Sequence, residues 1–152
     1  MKKLISLFII IVMSISLLGC KSTFTTEKPG KDYYTKKLIS DLSTYENCHS
    51  NAVYMNFYKG KRLEVDELLT ARKFLKYLQP ENFIAKPEDL PDMPMYKMYF
   101  TFENSKYVLN IYNQKYISIY PWDGEYEMDF IDISNCYTSY NLFSLCEYIF
   151  DK

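Results

Sequence analysis

The sequence predicts an α+β fold: an antiparallel meander of about four or five strands with helices packed mainly on one of its faces. Two observations carry this expectation. Over residues 95–133, three turn signals (Asn104-Ser105, Asn113-Gln114-Lys115 and Asp123-Gly124) separate runs in which apolar and polar residues alternate, the period of half-buried strands. On both sides of that stretch apolar residues recur three and four apart instead, the period of amphipathic helices.

Taken in order, residues 21–31 hold Ser, Thr, Pro29 and Gly30 with little to bury, and read as a tether. Over residues 32–45 the set Leu38, Ile39, Leu42 and Tyr45 has helical spacing. Residues 52–58 alternate, with Val53, Met55 and Phe57 opposite Tyr54, Asn56 and Tyr58, and predict a strand ended by Lys59-Gly60. Asp66 is placed to cap a helix over residues 66–79, stopped by Pro80, with Leu68, Leu69, Leu75 and Leu78 on one stripe. Residues 80–94 hold Pro80, Pro87, Pro91 and Pro94 and read as an irregular connection. Finally Leu142, Leu145, Cys146 and Ile149 fall at i, i+3, i+4 and i+7, a helix able to cover one face of the sheet.

The meander can be phased by pairing residues across its turns. Glu103 opposite Lys106 is a favourable charge pair and sets Phe100 against Leu109. A three-residue second loop sets Leu109 against Ile119, whereas a two-residue loop would turn both isoleucines, Ile117 and Ile119, outward. A tight Asp123-Gly124 turn sets Ile119 against Met128 and Ile117 against Phe130. One face then carries Met98, Phe100, Leu109, Ile111, Ile117 and Ile119, with Tyr126, Met128 and Phe130. The other carries Asn110, Ser118, Glu125, Glu127 and Asp129, together with Tyr99, Tyr112, Tyr116, Tyr120 and Trp122.

The N-terminus has a different character. Lys2-Lys3 precedes residues 4–18, which carry no charge; the run is shorter than the roughly 20 residues of a membrane-spanning helix, and has the form of an export signal. It ends in Leu17-Leu18-Gly19-Cys20, which resembles the lipobox of bacterial lipoproteins. That resemblance covers residues 1–20 only. It implies cleavage before Cys20, a diacylglycerol on the Cys20 thiol, and anchorage at the outer face of the plasma membrane. Two acyl chains hold firmly where one holds reversibly. The expected organisation is a signal peptide at 1–19, a tether at 20–31 and a single domain at 32–152. In style and size the remainder is similar to small lipoproteins of Gram-positive bacteria that have no assigned activity.

Without Lys2 and Lys3 the basic count falls from 18 to 16 against 19 acids, which argues against nucleic acid, whose partners need a basic patch. Beyond Cys20 there remain Cys48, Cys136 and Cys146. Export permits disulfides, but an odd count allows at most one internal bridge. Cys146 suits a buried thiol, so Cys48 with Cys136 is the favoured pair, with three reduced thiols as the alternative. His49 beside Cys48 is the only histidine, and sequence neighbours at a strand entry point apart rather than forming a nucleophile pair. Catalytic signatures such as G-x-S-x-G and H-E-x-x-H, zinc-spaced cysteines and a phosphate loop are absent. The acidic run Asp123, Glu125, Glu127, Asp129 and Asp132 lacks the glycine turn that wraps calcium ligands around one ion, and is expected on a solvated face. No metal and no cofactor are expected.

The aromatic residues of the polar face, Tyr99, Tyr112, Tyr116, Tyr120 and Trp122, carry the functional expectation. Flat rings with polar tips stack on sugars or grip a partner at low entropic cost. The sequence therefore points to a non-catalytic surface module binding an envelope glycan, peptide or protein. A tethered inhibitor of a secreted enzyme is the alternative, and a hydrolase the third reading.

Overall fold

The computed structural model describes residues 27–44, 48–55, 59–122 and 124–151. The segment Leu17-Leu18-Gly19-Cys20, and Tyr45, Asn56, Phe57, Tyr58 and Asp123, lie outside the described residues. The class is α+β, and the sheet is larger than expected: seven antiparallel strands in the order β2-β1-β4-β5-β6-β7-β3. The strands are β1 (His49–Tyr54), β2 (Lys59–Arg62), β3 (Phe83–Ile84), β4 (Tyr96–Thr101), β5 (Lys106–Ile111), β6 (Tyr116–Pro121) and β7 (Asp129–Asp132). Helices α1 (Tyr33–Thr44), α2 (Val65–Tyr77) and α3 (Leu142–Asp151) complete the described elements, with short 3-10 turns at Pro80–Asn82 and Thr138–Tyr140.

The central meander β4–β7 is where the sequence placed it, flanked by two additions. Lys59-Gly60 does not end a strand; it opens β2, the second arm of a hairpin in which Val53 faces Gly60 and Asn51 faces Arg62. Every residue of β2 is exposed, so this edge strand carries no apolar alternation to read, and its lysines discourage further pairing. The hairpin bends at Met55, whose φ of 42° is left-handed. On the far edge, Phe83 and Ile84 leave the proline-rich connection to pair with Ile131 and Phe130.

One continuous core joins all three helices to one face of the sheet: Leu38 and Leu42, Phe74 and Leu75, and Cys146 and Ile149 pack with Met98, Leu109 and Ile119. The stripe of α2 is rotated from expectation. Ala71, Phe74 and Leu75 are buried while Leu69 is exposed. The helix starts at Val65, and Glu67 reaches back to accept from the Glu64 amide at 2.8 Å, so the capping position is Glu64 rather than Asp66.

Register is right where a loop is locally stapled. Asn113 Oδ1 accepts from the amides of Lys115 and Tyr116 at 2.8 Å each, which builds the three-residue loop and sets Leu109 against Ile119. The first hairpin slips by two: Met98, not Phe100, faces Leu109, and Lys106 faces Thr101 rather than Glu103. An even slip preserves both faces. The last pair slips by one, with Asp129 facing Ile119 and Phe130 facing Ser118. That odd slip exchanges the faces of β7.

Asp129 therefore corrects the expectation of a solvated acidic strand. It is fully buried on the helix-covered face. Its Oδ2 accepts from the Thr35 amide and the Thr35 hydroxyl, both at 2.7 Å, within the first turn of α1, where unpaired amides and the helix dipole favour a negative charge. Its Oδ1 lies 2.7 Å from Lys28 Nζ. Lys28 also donates to the Met128 carbonyl at 3.1 Å and stands over the Tyr34 ring. Thus part of the segment expected to be a tether, from Lys28 onward, is held against the domain.

Candidate functional site

The outer face of the sheet, away from the helices, is not a uniform aromatic platform. Its middle is closed by its own side chains. Tyr112 and Tyr116 are 8% and 6% exposed. Tyr116 donates to Asp89 Oδ1 at 2.9 Å, from the loop after β3, and Tyr112 lies 3.4 Å from Ser118 Oγ. Asn110 donates to Ser118 Oγ at 3.1 Å, and Met128, displaced from the core by the shift of β7, lies over this pair with its sulfur 3.3 Å from Ser118 Oγ.

Accessible aromatics gather at one end instead. Trp122 is 66% exposed, and Tyr99 and Tyr120 are half-buried, aligned across Val108 by the ladder. Burial pushes both phenols above the usual tyrosine value, so they remain neutral hydroxyls over the physiological range. Trp122 is held at the end of the sheet by its amide, which donates to the Lys106 carbonyl at 2.8 Å. The Lys106 ammonium lies 4.6 Å from the Trp122 ring and 5.5 Å from the Tyr99 ring, an arrangement stabilised by the negative faces of both.

Beside this cluster is a groove of about 590 Å³, within the range of small-ligand sites. Asn51, Val53, Gly60, Arg62, Tyr99, Thr101, Lys106 and Trp122 line it. Lys61 also borders it, but its ammonium is engaged by the Ile149 carbonyl of α3 at 2.6 Å. Arg62 Nη2 is 3.5 Å from His49 Nδ1. Among the described residues lining this groove there is no carboxylate. A second groove of about 530 Å³ runs between the start of α1 and the β4–β5 hairpin, and shares Thr101, Lys106 and Trp122 with the first.

Of the five aromatic candidates, the structure brings Tyr99 and Trp122 into one groove, leaves Tyr120 close by, and separates Tyr112 and Tyr116 from them. Sequence reasoning missed Asn51, Arg62 and Lys106. Arg62 is one of only two arginines in the chain, but its strand has no pattern, and the turn at Asn104-Ser105 pairs Lys106 with Glu103 when read from sequence alone. The thiols Cys48, Cys136 and Cys146 are all free, so no bridge joins Cys48 to Cys136. Burial pushes each above its ordinary value, the opposite of an activated nucleophile. Among the described residues no cluster of His, Cys, Asp and Glu is arranged to hold a metal ion, and no helix is long and apolar enough to cross a membrane.

Comparison with known proteins places this architecture in a family. No curated protein matches the chain. A solved structure, described as the crystal structure of a putative lipoprotein from Clostridium perfringens, is similar with a TM-score of 0.73 and 32% sequence identity, covering 83% of this chain and all of that one. The model of the Domain of unknown function family DUF4883 matches residues 28–146, a span that starts at the Lys28 contact with Asp129 and ends in α3, and the chain belongs to that family.

Proposed function

We propose that this protein is a lipid-anchored, envelope-side module that binds carbohydrate in the groove beside Trp122. The observation that carries the reading is the exposed Trp122 ring at the edge of a groove that also offers Tyr99, Asn51 and Thr101. Flat faces interleaved with amide and hydroxyl groups are what a sugar ring needs, one surface for its C–H face and partners for its hydroxyls. The groove lies on the face of the sheet, where main-chain groups are already paired in the ladders. A peptide strand would find few main-chain partners there.

Anchorage rests on Leu17-Leu18-Gly19-Cys20 and on the similarity to a protein described as a lipoprotein. With Lys28 held at Asp129, the chain from Cys20 to Lys28 reaches at most about 29 Å when fully extended, so the domain is kept close to the bilayer. Cys20→Ala is expected to abolish lipid attachment. Metabolic labelling with a clickable fatty acid marks the wild type alone; equal labelling of both ends the anchoring proposal.

The binding reading is tested on an array of neutral and acidic oligosaccharides probed with the full chain. At least one glycan class is expected to be retained, and Trp122→Ala to weaken it about tenfold or more, the scale of losing a stacking contact together with its neighbouring hydrogen bonds. Retention of no glycan, or retention indifferent to Trp122→Ala, overturns the reading.

A further inference from the structure

We infer that the two grooves form one elongated site for an acidic oligosaccharide, with Trp122 and Lys106 as its centre and Tyr33 and Lys37 as a second subsite; this rests on the carbohydrate reading above. The grooves are adjacent because Thr101, Lys106 and Trp122 wall both. A ligand of one sugar unit would use a single groove, whereas a linear chain can pass over the shared wall. The same pairing occurs at that wall and again beyond it. Lys106 Nζ stands 4.6 Å from the Trp122 ring, and Lys37 Nζ stands 4.9 Å from the Tyr33 ring in the second groove. Each pair offers a flat surface beside a cation, which suits a repeating unit that presents a ring face and an anionic substituent.

Charge identifies the class. The whole chain is slightly acidic, with 18 basic residues against 19 acids, yet the described lining of the first groove holds Arg62 and Lys106 and no carboxylate. The second groove is mixed, with Lys37 and Lys106 against Glu103 and Glu125. The most anionic part of the ligand therefore belongs in the first groove, between Arg62 and Lys106. Arg62 presents a planar fork suited to carboxylate or phosphate, and both charges sit near the surface, where their pull on an anion weakens with salt.

Trp122 is the only tryptophan of the chain, so its emission reports the site directly in a titration of the full chain in detergent solution. Tetragalacturonate is expected to shift the emission saturably, and to bind about tenfold or more tightly than maltotetraose or monomeric galacturonate. Raising salt from about 50 to about 300 mM weakens it. Arg62→Gln and Lys106→Met each weaken it about tenfold, with urea unfolding unchanged as a control on folding. Lys37→Met weakens the tetramer while leaving digalacturonate unaffected, the mark of a second subsite. A phosphorylated maltotetraose distinguishes the anion: whichever of the two acidic chains binds more tightly assigns carboxylate or phosphate, and either supports the proposal. Equal affinity for maltotetraose overturns the acidic assignment and leaves carbohydrate binding standing. Indifference of the tetramer to Lys37→Met overturns the elongated site, and equal binding of hexaglutamate overturns the sugar component. A flat response to every sugar overturns this inference and the carbohydrate reading together.

Discussion

Replacing Asp129 with alanine is expected to cost about 3–5 kcal/mol, the usual consequence of removing one partner from a buried, paired charge. The carboxylate is 0% exposed and takes two hydrogen bonds from Thr35 while facing Lys28. Alanine would leave an amide of the first turn of α1 and the Thr35 hydroxyl without their acceptor inside the core, and the start of α1 would lose its attachment to β7. Asp129→Asn keeps a carbonyl oxygen for the Thr35 amide and loses the ion pair, so its cost is expected to be smaller. Lys28→Met is expected to cost less again, because the Lys28 side chain is 19% exposed and water screens part of its interaction. Urea unfolding monitored by circular dichroism ranks the three. An Asp129→Ala protein within about 1 kcal/mol of wild type, the net worth of one ordinary hydrogen bond, would show that this carboxylate does not hold α1 in place.

Leu109→Ala is expected to destabilise by about 2–5 kcal/mol, through lost transfer free energy and the cavity left behind. Leu109 is fully buried, between Met98 on β4 and Ile119 on β6, three strands into the sheet where collapse around a void is difficult. The neighbouring Asn110→Ala makes a sharper comparison than the sequence alone would allow. Asn110 belongs to the face expected to meet solvent, yet it is only 5% exposed and donates to Ser118 Oγ. Its Oδ1 has no hydrogen-bond partner among the described residues, so alanine removes a bond and an unsatisfied acceptor together. The net cost is expected to be about 1 kcal/mol. Equal losses for Leu109→Ala and Asn110→Ala in denaturant unfolding would contradict the assignment of the main core to the helix-covered face.

The odd slip of β7 explains why the exposed aromatic surface is smaller than the alternation of β5 and β6 implies. Had Met128 and Phe130 pointed into the core, the outer face would be left to tyrosines and carboxylates. Instead Phe130 is buried beside Ser118, Met128 covers the Asn110–Ser118 pair, and Tyr112 and Tyr116 are enclosed with them. The end of the sheet near Trp122 stays open, and there Lys106 and Arg62 set positive charge beside the aromatic rings.

The sequence by itself determined what is local. Helical spacing located α1 and α3, alternation located β4, β5 and β6 and assigned their core faces, and Asn113 specified the loop that phases β5 against β6, because its side chain satisfies amides only two and three residues away. The lipobox-like segment is likewise legible as a string of residues. Only the tertiary structure decided what depends on distant partners. Asp129 reads as a solvent residue until Thr35 and Lys28, far away in sequence, supply the donors that let a carboxylate be buried. The edge strand β2 is exposed throughout and β3 is two residues long, so neither shows a period of its own, and both exist through pairing with β1 and β7. The groove beside Trp122 takes its shape from β1, β2, β4, the start of β5 and the end of β6 at once, and no periodicity along a single strand records which of five aromatic side chains the neighbouring loops leave uncovered.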